Sequence, residues 1–332
     1  MFGFIRLVFQ ILRFSKVQKQ FIQNFLSPKL NNYLGDNSLL PQDIQKIKRY
    51  YGFGSVFLVG EAIAGLHQQN LSEVNRQNLT LLASLTGIFD DFFDKNELSD
   101  EEIKNLLIHY KTLTPKNNKQ KLAIDFYSKC IKNADFAQEI KQHALLVYEA
   151  QKNSVAQKNP HISLTNTLQI SDIKGGVSML LYRFCINLPL QNQEQEILYK
   201  AGEIFQLCND IFDVHKDIQE GITTVVHKAK NTQQIQQILN NKTAQLKKLV
   251  HQSNFSPKGQ SLFLALNHVA IARTQVCLHQ LQKNEKRYPN FHLHQWQRHH
   301  LVCDMETPKN QLLFFRFWYR LCKQGLNNLN VK

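Results

Sequence analysis

Apolar residues recur at helical spacing along almost the whole chain, and residues that interrupt helices are scarce. Between Gln77 and Asp94, for example, apolar side chains stand three or four positions apart. The 332 residues include only 13 Gly and 8 Pro. This scarcity favours long helices over turn-rich strands, and neither an alternating strand pattern nor an internal repeat is evident. We therefore predict an all-α protein of about ten helices packed as a bundle.

Short loops between the predicted helices favour a single domain over residues 1–332. The chain begins with an amphipathic helix, predicted over about 1–26, and an aromatic and basic helix is predicted over about 308–326. Both contain charged residues, so neither is expected to span a bilayer. Each pattern is equally suited to packing on the protein core and to lying on a membrane surface.

The chain is basic, with 40 Lys and Arg against 26 Asp and Glu, which gives a formal net charge of +14. Such a balance indicates an anionic partner: nucleic acid, an anionic membrane surface or a phosphorylated small molecule. The basic residues are dispersed and no nucleic-acid recognition motif is present, so nucleic acid is not expected. Six separated cysteines without a CxxC pair, and no evident export signal, indicate the cytoplasm, with peripheral membrane contact left open.

Three carboxylates stand at the end of the helix predicted over Gln77–Asp94: Asp90, Asp91 and Asp94. The helix macrodipole disfavours negative charge at this end by roughly 0.3–1 kcal/mol for each group. Neighbouring phenylalanines lower the local dielectric constant and make the mutual repulsion worse. A positive partner is needed, and Mg²⁺ prefers oxygen ligands of this kind.

A second acidic cluster lies near the end of a helix predicted from about Gln193 to Glu220, before a helix stop at Gly221. Its oxygen-bearing residues are spaced four apart, which places them along one helix face: Asn209, Asp213 and Asp217. Asp210 and Lys216 flank this line. One such cluster has an ordinary structural explanation about as readily as a functional one, whereas two predict a shared cage of oxygens that binds a diphosphate through Mg²⁺.

The sequence DDFFD at Asp90–Asp94 resembles the aspartate-rich DDxxD motif of class I isoprenoid (terpene) synthases. NDIFDVHKD at Asn209–Asp217 resembles their second metal motif, NDxxSxxKE, with Asp213 in place of Ser or Thr and Asp217 in place of Glu. The resemblance implies the all-α terpenoid synthase fold around a central apolar cavity. It also implies a trinuclear Mg²⁺ cluster, or Mn²⁺ in its place, held by Asp90, Asp94, Asn209, Asp213 and Asp217.

The same resemblance implies a lyase that ionises an allylic prenyl diphosphate and releases diphosphate to give a terpene hydrocarbon or alcohol. Candidate diphosphate-binding residues are Lys216 in the second motif and the later pair Arg287 and Tyr288. Lys174 and Arg183 are weaker candidates. They flank Gly175-Gly176, where a helix break is expected by similarity to the break in these folds.

Other members of the superfamily remain as alternatives. The stretch FQLCNDIFDVHKDIQEG also resembles squalene and phytoene synthases, so head-to-head condensation is the main enzymatic alternative. The Arg-Arg-Gly stretch of chain-elongating prenyltransferases is missing after Asp94, which disfavours elongation. A non-catalytic protein that binds prenyl diphosphate, or a helical protein on a membrane surface, is the alternative outside enzymes. The sequence leaves the oligomeric state open.

Overall fold

The structure is a computed structural model that describes residues 2–288 and 290–327. All regular structure in these residues is helical, which confirms the predicted all-α class. The helices are α1 Phe2–Phe21, α2 Ser27–Asn31, α3 Pro41–Lys46, α4 Glu61–Leu66, α5 Glu73–Asp94, α6 Asp100–His109, α7 Asn118–Asn133, α8 Ala137–Ser154, α9 Leu164–Phe184, α10 Glu194–Phe212, α11 Val214–Gln219, α12 Val225–Lys228, α13 Thr232–Gln252, α14 Pro257–Glu285, α15 Arg298–Leu301 and α16 Pro308–Asn327. Two wider π-helical segments, Ile22–Leu26 and Ile47–Gly60, continue α1 and α3 without a break.

The chain divides into two compact units. The first comprises Met1–Leu145 and Leu181–Pro189, and the second comprises Leu146–Leu180 and Leu190–Lys332. The prediction that residues 1–332 form a single domain stays a prediction.

In the first unit, α5 is the central helix. It packs against the π-helical segment Ile47–Gly60 and against α7, and its apolar face is almost fully buried. Burial of that face removes apolar surface from water, which is the main force that holds these helices together. The amide of Asn187 donates to Asn133 O at 3.0 Å, and its backbone N–H donates to Asn75 Oδ1 at 2.9 Å. These bonds tie the segment Leu181–Pro189 to α5 and α7.

Helix boundaries in the first unit follow the sequence signals closely. Helix α5 ends at Asp94 as predicted, and Asn96 then adopts a left-handed conformation with φ 52°. The capping box predicted at the start of α6 is confirmed. Ser99 Oγ accepts from the Glu102 N–H at 3.3 Å, and the Glu102 carboxylate accepts from the Ser99 N–H at 2.8 Å.

In the second unit, α10 packs against α13 and α14, and α14 packs against α16. Helix α14 is long and apolar enough to cross a membrane, with a mean hydropathy of 1.3 in its most apolar window. Within that window, 67% of the helix is buried inside the protein, as in the core helix of a bundle.

The helix break predicted at Gly175-Gly176 is wrong, because α9 runs without interruption from Leu164 to Phe184. The glycines allow a close approach between helices instead. A Cβ atom added to Gly175 would lie 2.2 Å from the carbonyl oxygen of Gly202 on α10, and one added to Gly176 would meet the Tyr199 ring at 2.4 Å. The small residues are therefore required by packing between α9 and α10.

Candidate active site

The second acidic cluster lies where α10 passes into α11. The predicted continuous helix is interrupted at Asp213, which ends α10 and precedes α11. The helical register continues across this point. Asp213 N–H donates to Asn209 O at 2.8 Å, and Asp217 N–H donates to Asp213 O at 2.9 Å. The structure therefore brings Asn209, Asp213 and Asp217 together as the spacing predicts, and α11 ends before Gly221, whose φ is +65°.

Burial raises the pKa of all three carboxyl groups in this cluster. Burial, followed by the negative charges of Asp210 and Asp213, raises the pKa of Asp217 to about 8. Burial also raises the pKa of Asp210 to about 6, although hydrogen bonds oppose this shift, and it raises the pKa of Asp213. A carboxylate that is buried beside like charges favours its neutral form. A cation bound here would restore the ionised forms of all three.

The donor set consists of oxygen atoms, which suits a hard cation such as Mg²⁺. Among the side chains that the structure describes, no three His, Cys, Asp or Glu residues are arranged so that they could hold a metal ion by themselves. Mg²⁺ commonly keeps several waters and binds substrate phosphates, so one or two protein carboxylates are enough to anchor it. Magnesium binding by Asn209, Asp213 and Asp217 stays a prediction that their chemistry supports.

In the sequence, Asp210 flanks the line of spaced ligand candidates. In the structure, it has the smallest exposed fraction of the acids in the cluster. It is 4% exposed. Its Oδ2 accepts from Ser171 Oγ at 3.0 Å, and its Oδ1 accepts from Gln206 Nε2 at 2.9 Å. These bonds orient its carboxylate and hold its charge close to Asp217.

Positive charge reaches the cluster from three elements of the second unit. The charge of Lys174 on α9 partly opposes the rise in the pKa of Asp210, and the charge of Lys216 on α11 partly opposes the rise for Asp213 and Asp217. The charge of Arg273 on α14 also opposes the rise for Asp213. No sequence pattern points to Arg273, because it lies in no motif and about 60 residues from the cluster along the chain. Its guanidinium carbon lies 3.6 Å from the centroid of the Phe212 ring, which fixes it beside the end of α10.

The pair Arg287 and Tyr288 is held by α15. Arg287 Nη1 lies 3.2 Å from His300 Nε2, and the Tyr288 hydroxyl lies 2.6 Å from His300 Nδ1. The Tyr288 ring stacks on Trp296 with centroids 4.7 Å apart. Helix α15 packs against α11, which carries the end of the second motif. The pair is therefore attached to an element that contacts α11.

Arg183 has a different environment. It is fully buried, and its guanidinium donates to the carbonyl oxygens of Ile186 at 2.9 Å and Leu188 at 2.8 Å. It also lies over the Phe136 ring. These contacts close the C-terminal end of α9, so Arg183 stabilises the helix end, and diphosphate binding by Arg183 stays a prediction.

The first acidic cluster divides into residues with different partners. Asp91 Oδ2 accepts from Lys119 Nζ at 3.0 Å and from Lys95 Nζ at 2.9 Å. Asp90 Oδ2 instead accepts from the Tyr51 hydroxyl at 3.3 Å. Burial and the charge of Asp90 raise the pKa of Tyr51, so this phenol stays protonated as a donor. The side chain of Asp94 lies outside the described part of the chain.

Two pockets in the first unit lie beside Asp91. One is a small cavity of about 10 Å³ that includes Tyr51 and Asp91 in its lining, and the other is a polar groove of about 390 Å³ that includes Lys95 and Lys119. The groove is lined largely by polar and charged side chains, whereas the lining of the small cavity also includes Ile47 and Ile88. The central apolar cavity stays a prediction, and so does a site shared by the two motifs, since the motifs belong to different units.

Comparison with protein-family models, with curated proteins and with solved structures finds no match for this chain. The observations that bear on function are therefore the two motifs and the surroundings of their side chains.

Proposed function

We propose that the protein is a Mg²⁺-dependent class I terpene synthase that ionises an allylic prenyl diphosphate. One observation carries the proposal. Asp210, Asp213 and Asp217 are gathered beside Asn209 at a helix end, where burial raises the pKa of all three carboxyl groups and a bound cation would favour their ionised forms. Such an arrangement costs stability in the absence of a ligand, so a role in binding accounts for it better than a structural role does.

Asn209, Asp213 and Asp217 are proposed to bind Mg²⁺ at the second motif, and Asp90 and Asp94 are proposed to bind it at the first. When bound, Mg²⁺ would supply Lewis-acid stabilisation of the charge that develops on the leaving diphosphate. The Ser171 and Gln206 hydrogen bonds hold Asp210 in place behind these ligands. Asp210 is therefore proposed as a positioning residue.

Cationic side chains near the cluster are proposed to bind the diphosphate. Lys174, Lys216 and Arg273 each act electrostatically on at least one acid of the second motif. Arg287 and Tyr288 are attached to α15, which contacts α11. Fixed donors of this kind stabilise a leaving anion without reorganisation during the reaction. The substrate would be a small molecule, and the six free, buried thiols suit the cytoplasm that we propose as its location.

The direct test incubates the protein with prenyl diphosphates of several chain lengths, with Mg²⁺, with Mn²⁺ or with EDTA. We expect metal-dependent release of diphosphate and a terpene hydrocarbon or alcohol by mass spectrometry. Absence of metal-dependent release from every substrate would refute the enzyme. A product joined head to head from two substrates would instead support the squalene and phytoene synthase alternative.

A matched pair of variants connects the activity to the cluster. Asp213→Asn removes a proposed metal ligand, and we expect turnover to fall by at least about 100-fold, as when a principal electrostatic group is removed. Glu196→Gln removes one negative charge from an exposed position in the first turn of the same helix. It should keep nearly full activity. If both variants lost turnover equally, removal of any negative charge from this helix would reduce activity. The acidic cluster would then have no special role.

A further inference from the structure

The outward face of α16 carries a stripe of exposed apolar residues. Leu312 is 72% exposed, Phe315 is 47% exposed and Tyr319 is 37% exposed. Their spacing of three and four residues places them on one side of the helix. Large apolar side chains that are exposed singly are common, but three in one line form a surface that favours contact with another apolar phase.

A row of cations runs beside this stripe. Its members are spaced seven, four and three residues apart, so they lie within about 60° of one another around the helix. All of them are exposed: Lys309, Arg316, Arg320 and Lys323. No acidic residue occurs between Pro308 and Lys323. The face is therefore apolar along one line and positively charged along the adjacent line.

The face of α16 that adjoins the apolar stripe, on the side away from the cationic row, is anchored in the second unit. Trp318 is 2% exposed, and its indole N–H donates to the Ala265 carbonyl oxygen on α14 at 3.0 Å. Cys322 is also buried, at 5% exposed. Because the inner face is held in this way, the apolar stripe and the cationic row are presented in a fixed orientation.

We propose that the outward face of α16 docks on the surface of an anionic lipid bilayer. Leu312, Phe315 and Tyr319 would enter the boundary between headgroups and acyl chains, where amphipathic helices bury their apolar faces. The long Lys and Arg side chains beside them reach anionic headgroups. A nucleic acid would contact the cations but leave the apolar stripe in water, so a membrane satisfies both halves of the surface. The inference does not depend on the proposed catalytic activity.

The test measures co-sedimentation of the full chain with vesicles of phosphatidylcholine alone and of phosphatidylcholine with 30% phosphatidylserine. We expect binding to the anionic vesicles that weakens as salt is added, since screening reduces surface attraction. Each cation removed should weaken binding about fivefold, so Arg316→Gln with Arg320→Gln should weaken it about 30-fold. Leu312→Ser with Phe315→Ser should also release the protein from vesicles.

A control with the same change in net charge is Lys230→Gln with Lys248→Gln, at exposed positions outside α16. It should bind anionic vesicles within about twofold of the unaltered protein, because these lysines lie outside the docking face. Equal binding to both kinds of vesicle, no binding to either, or equal losses in the control and the α16 variant would overturn the proposal. A homodimer in solution that Leu312→Ser with Phe315→Ser dissociates would also overturn it, by showing that a second copy covers this face. Circular dichroism spectra that match the unaltered protein would establish that each variant is folded.

Discussion

Lys119 Nζ lies 3.0 Å from Asp91 Oδ2, and the lysine side chain is 3% exposed. Lys119 also pairs with Glu97 at 2.8 Å. A buried ammonium requires a carboxylate partner, so Asp91 has a structural reason to be at the end of α5. Asp90, its neighbour in the sequence, accepts a hydrogen bond from the Tyr51 hydroxyl. The first acidic motif thus combines a helix-end ion pair with a residue that is proposed to bind metal.

Asp91→Asn and Asp90→Asn should therefore have different effects. Asp91→Asn weakens the pairing of Lys119 and should lower the free energy of unfolding by about 1–3 kcal/mol. Asp90→Asn keeps an oxygen acceptor for the Tyr51 hydroxyl and should change stability by less than about 0.5 kcal/mol, yet it should abolish turnover. Urea unfolding and diphosphate release distinguish these outcomes. If Asp90→Asn lost stability and activity together, the motif would be structural.

Asp217→Asn should raise the melting temperature of the metal-free protein by a few degrees. It removes a buried carboxylate whose pKa is raised to about 8 by burial and by Asp210 and Asp213. The same variant should lose most of the stabilisation that Mg²⁺ gives to the unaltered protein. Thermal unfolding with EDTA and with increasing Mg²⁺ measures both effects. A metal-free melting temperature that falls would show that Asp217 stabilises the fold without a cation.

Through His227, stability should fall as the pH is lowered from about 6.5 to about 4, whereas the raised pKa values of Asp210 and Asp217 act in the opposite direction. Burial and the charge of His294 lower the pKa of His227 from 6.5 to about 4, so the unfolded chain binds the proton in this range and the folded protein does not. This histidine then contributes about 3 kcal/mol that is present above pH 6.5 and is lost near pH 4. His227 Nδ1 accepts from the Thr224 N–H at 3.1 Å, which requires an unprotonated nitrogen.

His227→Gln should remove the contribution of His227 to the pH dependence of stability, because glutamine does not titrate. Glutamine at this helix position keeps an acceptor for the Thr224 N–H. The measurement is the urea midpoint at several pH values between 4 and 7. His161→Gln, at an exposed position, is the control and should leave the pH dependence unchanged. If His227→Gln left the dependence of the urea midpoint on pH unchanged, His227 would not contribute to it and other titratable groups would be responsible.

Gly175→Ala should destabilise the second unit by about 3 kcal/mol or more, since the added methyl group would overlap the Gly202 carbonyl across two helices. Gly54→Ala is the matched change in open space, because nothing lies within 4 Å of its added Cβ. It should be neutral or stabilising by up to about 1 kcal/mol. Urea unfolding compares the two. Equal effects would mean that backbone flexibility, and not helix contact, determines the requirement for glycine at position 175.

Local signals in the sequence were sufficient for much of the fold. The periodicity of α5, the capping box at Ser99 and the stop at Gly221 depend on residues within a few positions of one another, and each was predicted correctly. The spacing of Asn209, Asp213 and Asp217 likewise follows from helical geometry alone. These features need no knowledge of which helices are neighbours.

Other features depend on contacts between residues far apart in the chain. In the sequence, the glycines at 175 and 176 suggest a helix break. The structure shows that they instead make room for Gly202 and Tyr199, which lie against them. Lys119 and Asp91 are 28 positions apart, and no sequence pattern pairs them. The nearness of Arg273 to Asp213 and the burial of Arg183 are likewise determined by packing. The sequence alone determined the all-α class, the end of α5, the start of α6 and the spacing of the acidic residues, because these are local properties. Only the tertiary structure decided which charges are compensated, because compensation depends on distance and burial.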